Sequence, residues 1–299
     1  MPSAATAGVI ERTRAAVRRS VVRGRLQAVA AGKSEVLAFD LDGEALDVAA
    51  LVKDVTAGQR PGSLAHQRLA ETFQRSGITD TVIDQLAAPE ANRRIRSAQL
   101  AGALGMEQAV SWISALLSAK EPAVRDAAAR ALGSIGGSRS ADALLRAIRR
   151  DGPRRTLLVE LAHAAPDLFL ETCLCTPGRI GVHAALAIAA GLRRRRAAVT
   201  PLLGLLASGS RRERAASCRA LGWIKADIAL PAVAAALADT DWRVRMSAIK
   251  ALVRLGGDAY MQELESLRGD PNTQVRKTAR FAIRRLLNAT ASPWEWAWR

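Results

Sequence analysis

Three stretches of this chain nearly superimpose: PAVRDAAARALGSIGG at residues 122–137, RRERAASCRALGWIKA at 211–226 and WRVRMSAIKALVRLGG at 242–257. Each carries an arginine at its fourth position and apolar or small residues at the spacing that gathers them on one face of an α-helix. In the first, Val124, Ala128, Ala131, Leu132 and Ile135 share that face, and Gly136-Gly137 can take the positive φ that ends a helix. Weaker copies are RRIRSAQLAGALG from Arg93, RIGVHAALAIAAG from Arg179 and NTQVRKTARFAIRRLL from Asn272. The aligned markers are Arg96, Arg125, Arg155, His183, Arg214, Arg245 and Arg276, at gaps of 29, 30, 28, 31, 31 and 31 residues. One step further back falls on Arg68. The segments between them, Ala141–Ile148, Thr200–Ala207 and Ile228–Ala238, are amphipathic too. A period of this length predicts helical hairpins, each an A helix followed by a B helix, which bury a core only when stacked on their neighbours.

Composition agrees. Hydrophobic residues make up 49% of the 299 positions but aromatic ones only 4%, so the core is built from Ala, Leu, Val and Ile, which suits closely packed helices. The three cysteines, Cys173, Cys175 and Cys218, exclude a disulfide-stapled scaffold and fit a reducing compartment. The longest apolar run, Val182–Leu192, falls far short of the roughly 20 residues that cross a bilayer. Basic residues run through the N-terminal stretch where a signal peptide needs its apolar segment, so the expected location is the cytoplasm. A formal charge of +16 favours an anionic partner without choosing among acidic protein, nucleic acid and acidic membrane.

These repeats resemble the HEAT family, in particular its short bacterial HEAT-like form, the type found in phycobilin lyases. Pro231, Asp239 and Arg245 match the family's A-helix proline, turn aspartate and B-helix arginine, and Pro201 and the pair Asp270 and Arg276 repeat parts of that set. The resemblance implies a right-handed all-α solenoid of about eight hairpins over residues 44–288. Basic capping helices and a linker would occupy 1–43, and a Trp-rich tail 289–299. It also implies an internal ladder in which the Asp near a turn accepts from an Arg of the same or an adjacent hairpin. Ala119, Pro177 and Ser208 stand where the aspartate is expected, and His183 where the arginine is. Residues 139–192 are the least regular part.

Candidates for chemistry are few. Asp40-Leu41-Asp42-Gly43 resembles the nucleophile loop of haloacid dehalogenase-type phosphatases, but Glu44 replaces the family's Thr and hairpins follow where an α/β sheet should. His66, His163 and His183 lie whole repeats apart, without metal-ligand spacing, and Cys173-x-Cys175 lacks a second pair. No cofactor and no metal are expected. The strongest feature outside packing is the placement of cations. Arg130, Arg219 and Lys250 lie five residues beyond their markers, and Arg280 and Arg284 four and eight beyond theirs. With Arg254, Trp223 and the tail residues Trp294, Trp296 and Trp298, they are the candidate partner-binding residues, since Arg and aromatic side chains commonly anchor interfaces.

The expected function is a non-catalytic scaffold holding a protein partner, with an acidic surface, along the concave solenoid surface, which the B helices line in HEAT-like arrays. One alternative is nucleic-acid binding through the same cations, by similarity in broad architecture to HEAT-like alkylpurine DNA glycosylases. Another is an accessory role in modifying a partner protein. Residues 9–31 read as a basic amphipathic cap that would also suit an anionic membrane surface.

Overall fold

The computed structural model describes residues 4–36, 47–58, 63–176 and 181–290, with the side chains of 4–12 and 288–290 excepted. Every regular element among them is helical. The chain divides into two units, 1–147 and 148–299, at a boundary inside the irregular 139–192 stretch.

The first unit contains α1 (Ala4–Ala30), α2 (Val48–Val55), α3 (Leu64–Arg75), α4 (Ile78–Leu86), α5 (Ala91–Leu104), α6 (Val110–Leu116), α7 (Pro122–Ile135) and most of α8 (Gly137–Asp151). The pairs α4/α5 and α6/α7 are the expected hairpins, and B helices α5 and α7 lie side by side. Their approach is close because Gly102 faces Ala131: a Cβ built on Gly102 would sit 2.9 Å from the Ala131 Cα.

Two expectations for this unit are corrected. The repeat marker in α5 is Arg94, not Arg96. Arg94 is the fourth residue of its helix, as Arg125 is of α7, and lies 31 residues before it. Its Nη2 donates to Glu121 Oε1 at 3.2 Å, whereas Arg96 is exposed. The helix containing Arg68, α3, is not the B helix preceding α5 either. That place is taken by α2, whose Val48, Ala49, Leu51 and Val52 form an apolar face, while α3 packs on α1 and α4. α1 lies over α2 and α3 with Val22, Leu26 and Val29 buried, and its residues 16–21 are exposed. Burial of those three side chains is what a solenoid requires of a terminal helix.

In the second unit follow α9 (Arg155–Ala164), α10 (Asp167–Cys175), α11 (His183–Leu192), α12 (Val199–Ser208), α13 (Arg211–Ile224), α14 (Leu230–Ala235), α15 (Trp242–Leu255), α16 (Met261–Ser266) and α17 (Thr273–Thr290). A helices α10, α12, α14 and α16 pair with B helices α11, α13, α15 and α17, which stack in order. Pro231 sits in the first turn of α14, where its missing N–H costs nothing. Gly191 against Ala220, and Gly222 against Ala251, repeat the contact of the first unit.

An arginine ladder binds these hairpins, and it selects between the two arrangements left open by the sequence. Each Arg makes its carboxylate pair with the following hairpin. Arg214 grips Asp239 through Nε and Nη2 at 2.6 and 2.9 Å, and Arg245 grips Asp270 at 2.7 and 2.9 Å. The Nη1 of each Arg turns back to its own hairpin: Arg245 donates to the Asp239 and Thr240 carbonyls at 2.8 and 3.1 Å, Arg214 to that of Gly209 at 3.0 Å. The carboxylates also accept backbone N–H groups, Asp239 from Asp241 and Asp270 from Asn272. In the first unit Arg125 keeps the carbonyl half alone, donating to Ala119 and Lys120.

Where the arginine is replaced, His183 fills the rung differently. Its Nε2 lies 3.2 Å from the Thr176 carbonyl and its Nδ1 3.4 Å from Glu213 Oε1. Glu213 also accepts the Ser210 N–H at 2.7 Å, so it caps α13 while meeting His183 from the preceding hairpin.

The ladder makes stability acid-sensitive. The Arg245 guanidinium, hydrogen-bonded to Asp270, holds that carboxyl below its ordinary value, and Arg214 does the same to Asp239. A folded-state pKa below the unfolded one contributes stability that is complete above about pH 5 and is lost as the pH falls through roughly 4 and below. The expected result is a urea midpoint for the second unit that drops over this window, with a shallower drop in Asp270→Asn. Equal slopes for the two proteins would exclude the rung as their source.

Candidate functional site

The B helices of the second unit carry two exposed rows related by the 31-residue period. The first runs Arg219, Lys250, Phe281, and the second, one helical turn on, runs Trp223, Arg254, Arg285. Five of these are exposed and Trp223 is half-buried, its ring leaning toward Gly191 of α11. In α17 the exposed surface widens to include Lys277, Arg280 and Arg284. Neither α15 nor α17 contains an acidic residue, and the one in α13, Glu213, is engaged with His183 and its own helix cap.

None of these cations forms an ion pair among the described residues. The guanidiniums of Arg219 and Arg254 donate only to backbone, Nε to Ala215 O at 3.2 Å and Nη1 to Lys250 O at 3.0 Å. The two rows therefore present positive charge from Arg219, Lys250, Arg254 and Arg285, together with the aromatic rings of Trp223 and Phe281, and Arg280 and Arg284 add exposed charge elsewhere on α17. Phe281, 63% exposed, and Arg285 extend the two rows but were not among the residues the sequence singled out. Stepping 31 residues from Lys250 and Arg254 reaches both, so the period itself contained the signal.

Arg130 belongs to the first unit, where it lines a cavity of about 140 Å³ with Lys53, Gln99 and Ser134. Trp294, Trp296 and Trp298 lie outside the described residues, as do Asp40 and Asp42 of the D-x-D-G string. The arginine cluster at 193–196 is largely structural. Arg193 donates to the Ala162 and Ala165 carbonyls and pairs with Asp167, and Arg195 bridges Asp167 and Glu171. Asp241 caps α15 through the Arg243 N–H at 2.8 Å, and the Arg243 guanidinium lies 4.4 Å from the Trp242 ring centre, so this acidic–aromatic pair serves the turn.

Two of the three thiols are buried. Cys218 is buried and its pKa is pushed up to about 12 by burial, while Cys173 is buried and Cys175 exposed on the same helix. Among the described residues no group of three or more His, Cys, Asp or Glu is placed to hold a metal ion. No described helix is long and apolar enough to cross a membrane.

A family model of HEAT repeats matches residues 79–162 and 199–284, more than half of the chain. The chain belongs to the HEAT-repeat family. Three solved structures similar to this HEAT-repeat chain are human deoxyhypusine hydroxylase in complex with glycerol, a Kap121p mutant, and the complex of CpcE and CpcF of phycocyanin lyase from Nostoc sp. PCC7120. The first is 18% identical, covering 90% of this chain and 98% of that one at a TM-score of 0.37. The second is 13% identical, covering 91% and 35% at 0.40, and the third 19% identical, covering 88% and 96% at 0.31. A comparison with curated proteins returns no significant match.

Proposed function

We propose that this HEAT-repeat chain is a non-catalytic interaction scaffold that holds an acidic segment of a partner protein on the B-helix face of its second unit. The observation that supports the reading is the alignment on α13, α15 and α17 of Arg219, Lys250, Arg254 and Arg285, exposed cations with no carboxylate partner among the described residues, on helices whose one acidic side chain is already engaged. Elsewhere in this unit the ladder arginines and Arg193 and Arg195 meet carboxylates. Surface cations keep an Ala-rich protein soluble wherever they sit. Alignment of Arg219, Lys250, Arg254 and Arg285 in two rows that also carry Trp223 and Phe281 adds what a binding surface requires: charge complementarity that steers encounter, and apolar anchors that hold the complex.

The test is recovery of a protein partner from the native cell by the wild type and by a Lys250→Glu, Arg254→Glu double variant. Both side chains are exposed and lack ion pairs among the described residues, so the unfolding midpoint of the variant should match the wild type. Retention of the acidic partner should fall by about tenfold or more, since like charges now face each other across the interface. Unchanged recovery would remove the face from the reading. Failure to recover any protein, together with nucleic-acid binding that weakens steeply with salt, would replace the acidic segment by phosphates.

A further inference from the structure

We infer that the outer side of α17, where the stack of B helices stops, is a second interaction surface, which takes an acidic helix of a partner protein laid parallel to α17. It uses residues other than the two B-helix rows, so the two readings stand or fall separately.

The repeat shows what each B helix turns toward its successor. Gly191 meets Ala220 and Gly222 meets Ala251, so these two glycines mark the forward side of α11 and α13. With Gly191, Ala184 and Ala187 complete an i, i+3, i+7 row on α11. One period later the row is Ala215, Cys218 and Gly222 of α13, and after another it is Met246, Ile249 and Val253 of α15. None of the nine is charged, and all are buried or half-buried. On α17 the row becomes Lys277, Arg280 and Arg284, three exposed cations without an ion pair among the described residues.

The ladder has an open rung on the same helix. Arg214 and Arg245 send Nε and Nη2 forward to Asp239 and Asp270 of the following hairpin. Arg276 keeps the backward half, donating Nη1 to the Asp270 and Pro271 carbonyls, while its Nη2 donates to Thr273 Oγ1 of its own helix at 3.0 Å. No carboxylate meets it among the described residues. Solubility asks for a polar end to a solenoid. It does not ask for a row of three cations with no acidic residue on the helix, beside an arginine whose forward half lacks its aspartate.

The occupant follows from the two covered copies of this surface. α13 is covered by α15 and α15 by α17, each a parallel B helix preceded by a turn aspartate, Asp239 or Asp270. An incoming helix of that kind would supply the carboxylate for Arg276. Cations in place of small or apolar side chains require carboxylates on it where α15 and α17 offer packing. Lys277 to Arg284 covers about 10 Å of helix axis, and glutamates at i, i+3 and i+7 of a parallel helix rise at the same rate and stay in register. Two copies of this chain meeting here would set cation against cation, and the exposed stretch of α1 carries Arg14, Arg18 and Arg19, so the partner is a different protein.

The experiment measures fluorescence anisotropy of labelled peptides with the full-length protein. The probe is an Ala-rich helical peptide opening on Asp-Pro-Asn, the order of Asp270, Pro271 and Asn272. Its glutamates stand five, eight and twelve residues after the Asp, the offsets of Val275, Thr278 and Ala282. A second peptide has the same composition with the glutamates spread round the helix, and a third has Asn for the opening Asp. The first should bind about tenfold or more tightly than the second, and several-fold more tightly than the third. Arg276→Gln should abolish the difference between the first and third, and Arg280→Glu with Arg284→Glu should abolish binding of the first. If that double variant unfolds more readily than the wild type, Arg280→Gln with Arg284→Gln repeats the test without reversing charge. Lys250→Glu with Arg254→Glu should change the affinity by less than about threefold, through long-range charge alone. Equal affinity for the first two peptides would overturn the inference, as would absence of binding at low salt. Loss of binding in Lys250→Glu with Arg254→Glu but not in Arg280→Glu with Arg284→Glu would overturn it while upholding the B-helix rows. Displacement of the first peptide by an oligonucleotide of equal charge would overturn it in favour of phosphates.

Discussion

Replacing Arg245 with alanine should lower the stability of the second unit by roughly 3–5 kcal/mol, the cost of stranding one partner of a buried ion pair. Asp270 is 3% exposed and receives two of its hydrogen bonds from this guanidinium, leaving only the Asn272 N–H to satisfy it afterwards. The same substitution strips the Asp239 and Thr240 carbonyls of their donor, so two successive hairpins loosen together. For a unit of this size the midpoint should fall by on the order of 10 °C. Arg276→Ala is the matched control: it removes the carbonyl bonds to Asp270 and Pro271 but strands no carboxylate, and should cost about 1 kcal/mol. Thermal unfolding of the two variants side by side decides the matter. Similar losses in both would mean that the carbonyl bonds, not the ion pair, carry the rung.

The second large effect is at Gly222. In an ordinary helix interior, Gly→Ala adds stability of about 0.5–1 kcal/mol, because it reduces the freedom of the unfolded chain. Here the new methyl would meet Ala251 Cα at 2.8 Å and its Cβ at 3.0 Å, so the sign reverses. Gly222→Ala should destabilise by about 1–3 kcal/mol, and Gly222→Leu by more, since α13 and α15 must move apart along their length. Gly204 in α12 has open space where its Cβ would stand, and Gly204→Ala should show the ordinary gain. Urea midpoints of the three variants give the comparison. A stabilising Gly222→Ala would show that the two helices are free to separate.

Most of the fold was legible because helix period and repeat period reinforce each other. Ala128, Ala131, Leu132 and their counterparts recur at fixed offsets from an arginine, and burial of those side chains is what selects the helical hairpin. The errors fall where a short motif offered several equivalent residues. In RRIR the pattern prefers the arginine after an aliphatic residue, but the helix begins at Ala91, which puts Arg94 in the fourth position. The irregular gap of 29 residues before Arg125 was the sign of that misplacement. The misassignment of α3 has a different cause: α2 is eight residues long, too short to display a period, and its place beside α5 depends on tertiary burial of Val48, Leu51 and Val52. The direction of the ladder was also hidden, because an Asp six residues before an Arg is compatible with either partner. Only the geometry reveals that the near contact is to the aspartate's carbonyl and the far one to its carboxylate. Of the candidate binding residues, Arg219, Trp223, Lys250 and Arg254 fall into two rows because the period carries them there, Arg280 and Arg284 are exposed on α17 outside those rows, and Arg130 belongs to the other unit.

That division of labour within the ladder has a consequence for how such a chain changes length. A cassette running from Asp241 to Pro271 contains the arginine that reaches forward and, near its end, the aspartate that receives it, with the carbonyls of the next turn beside it. A tandem copy of these 31 residues would bring both halves of a new rung. The ladder would need nothing new at the junction. Gene duplication by whole cassettes therefore lengthens the array without crossing an unstable intermediate, whereas gain or loss of a partial cassette separates donor from acceptor and should be eliminated.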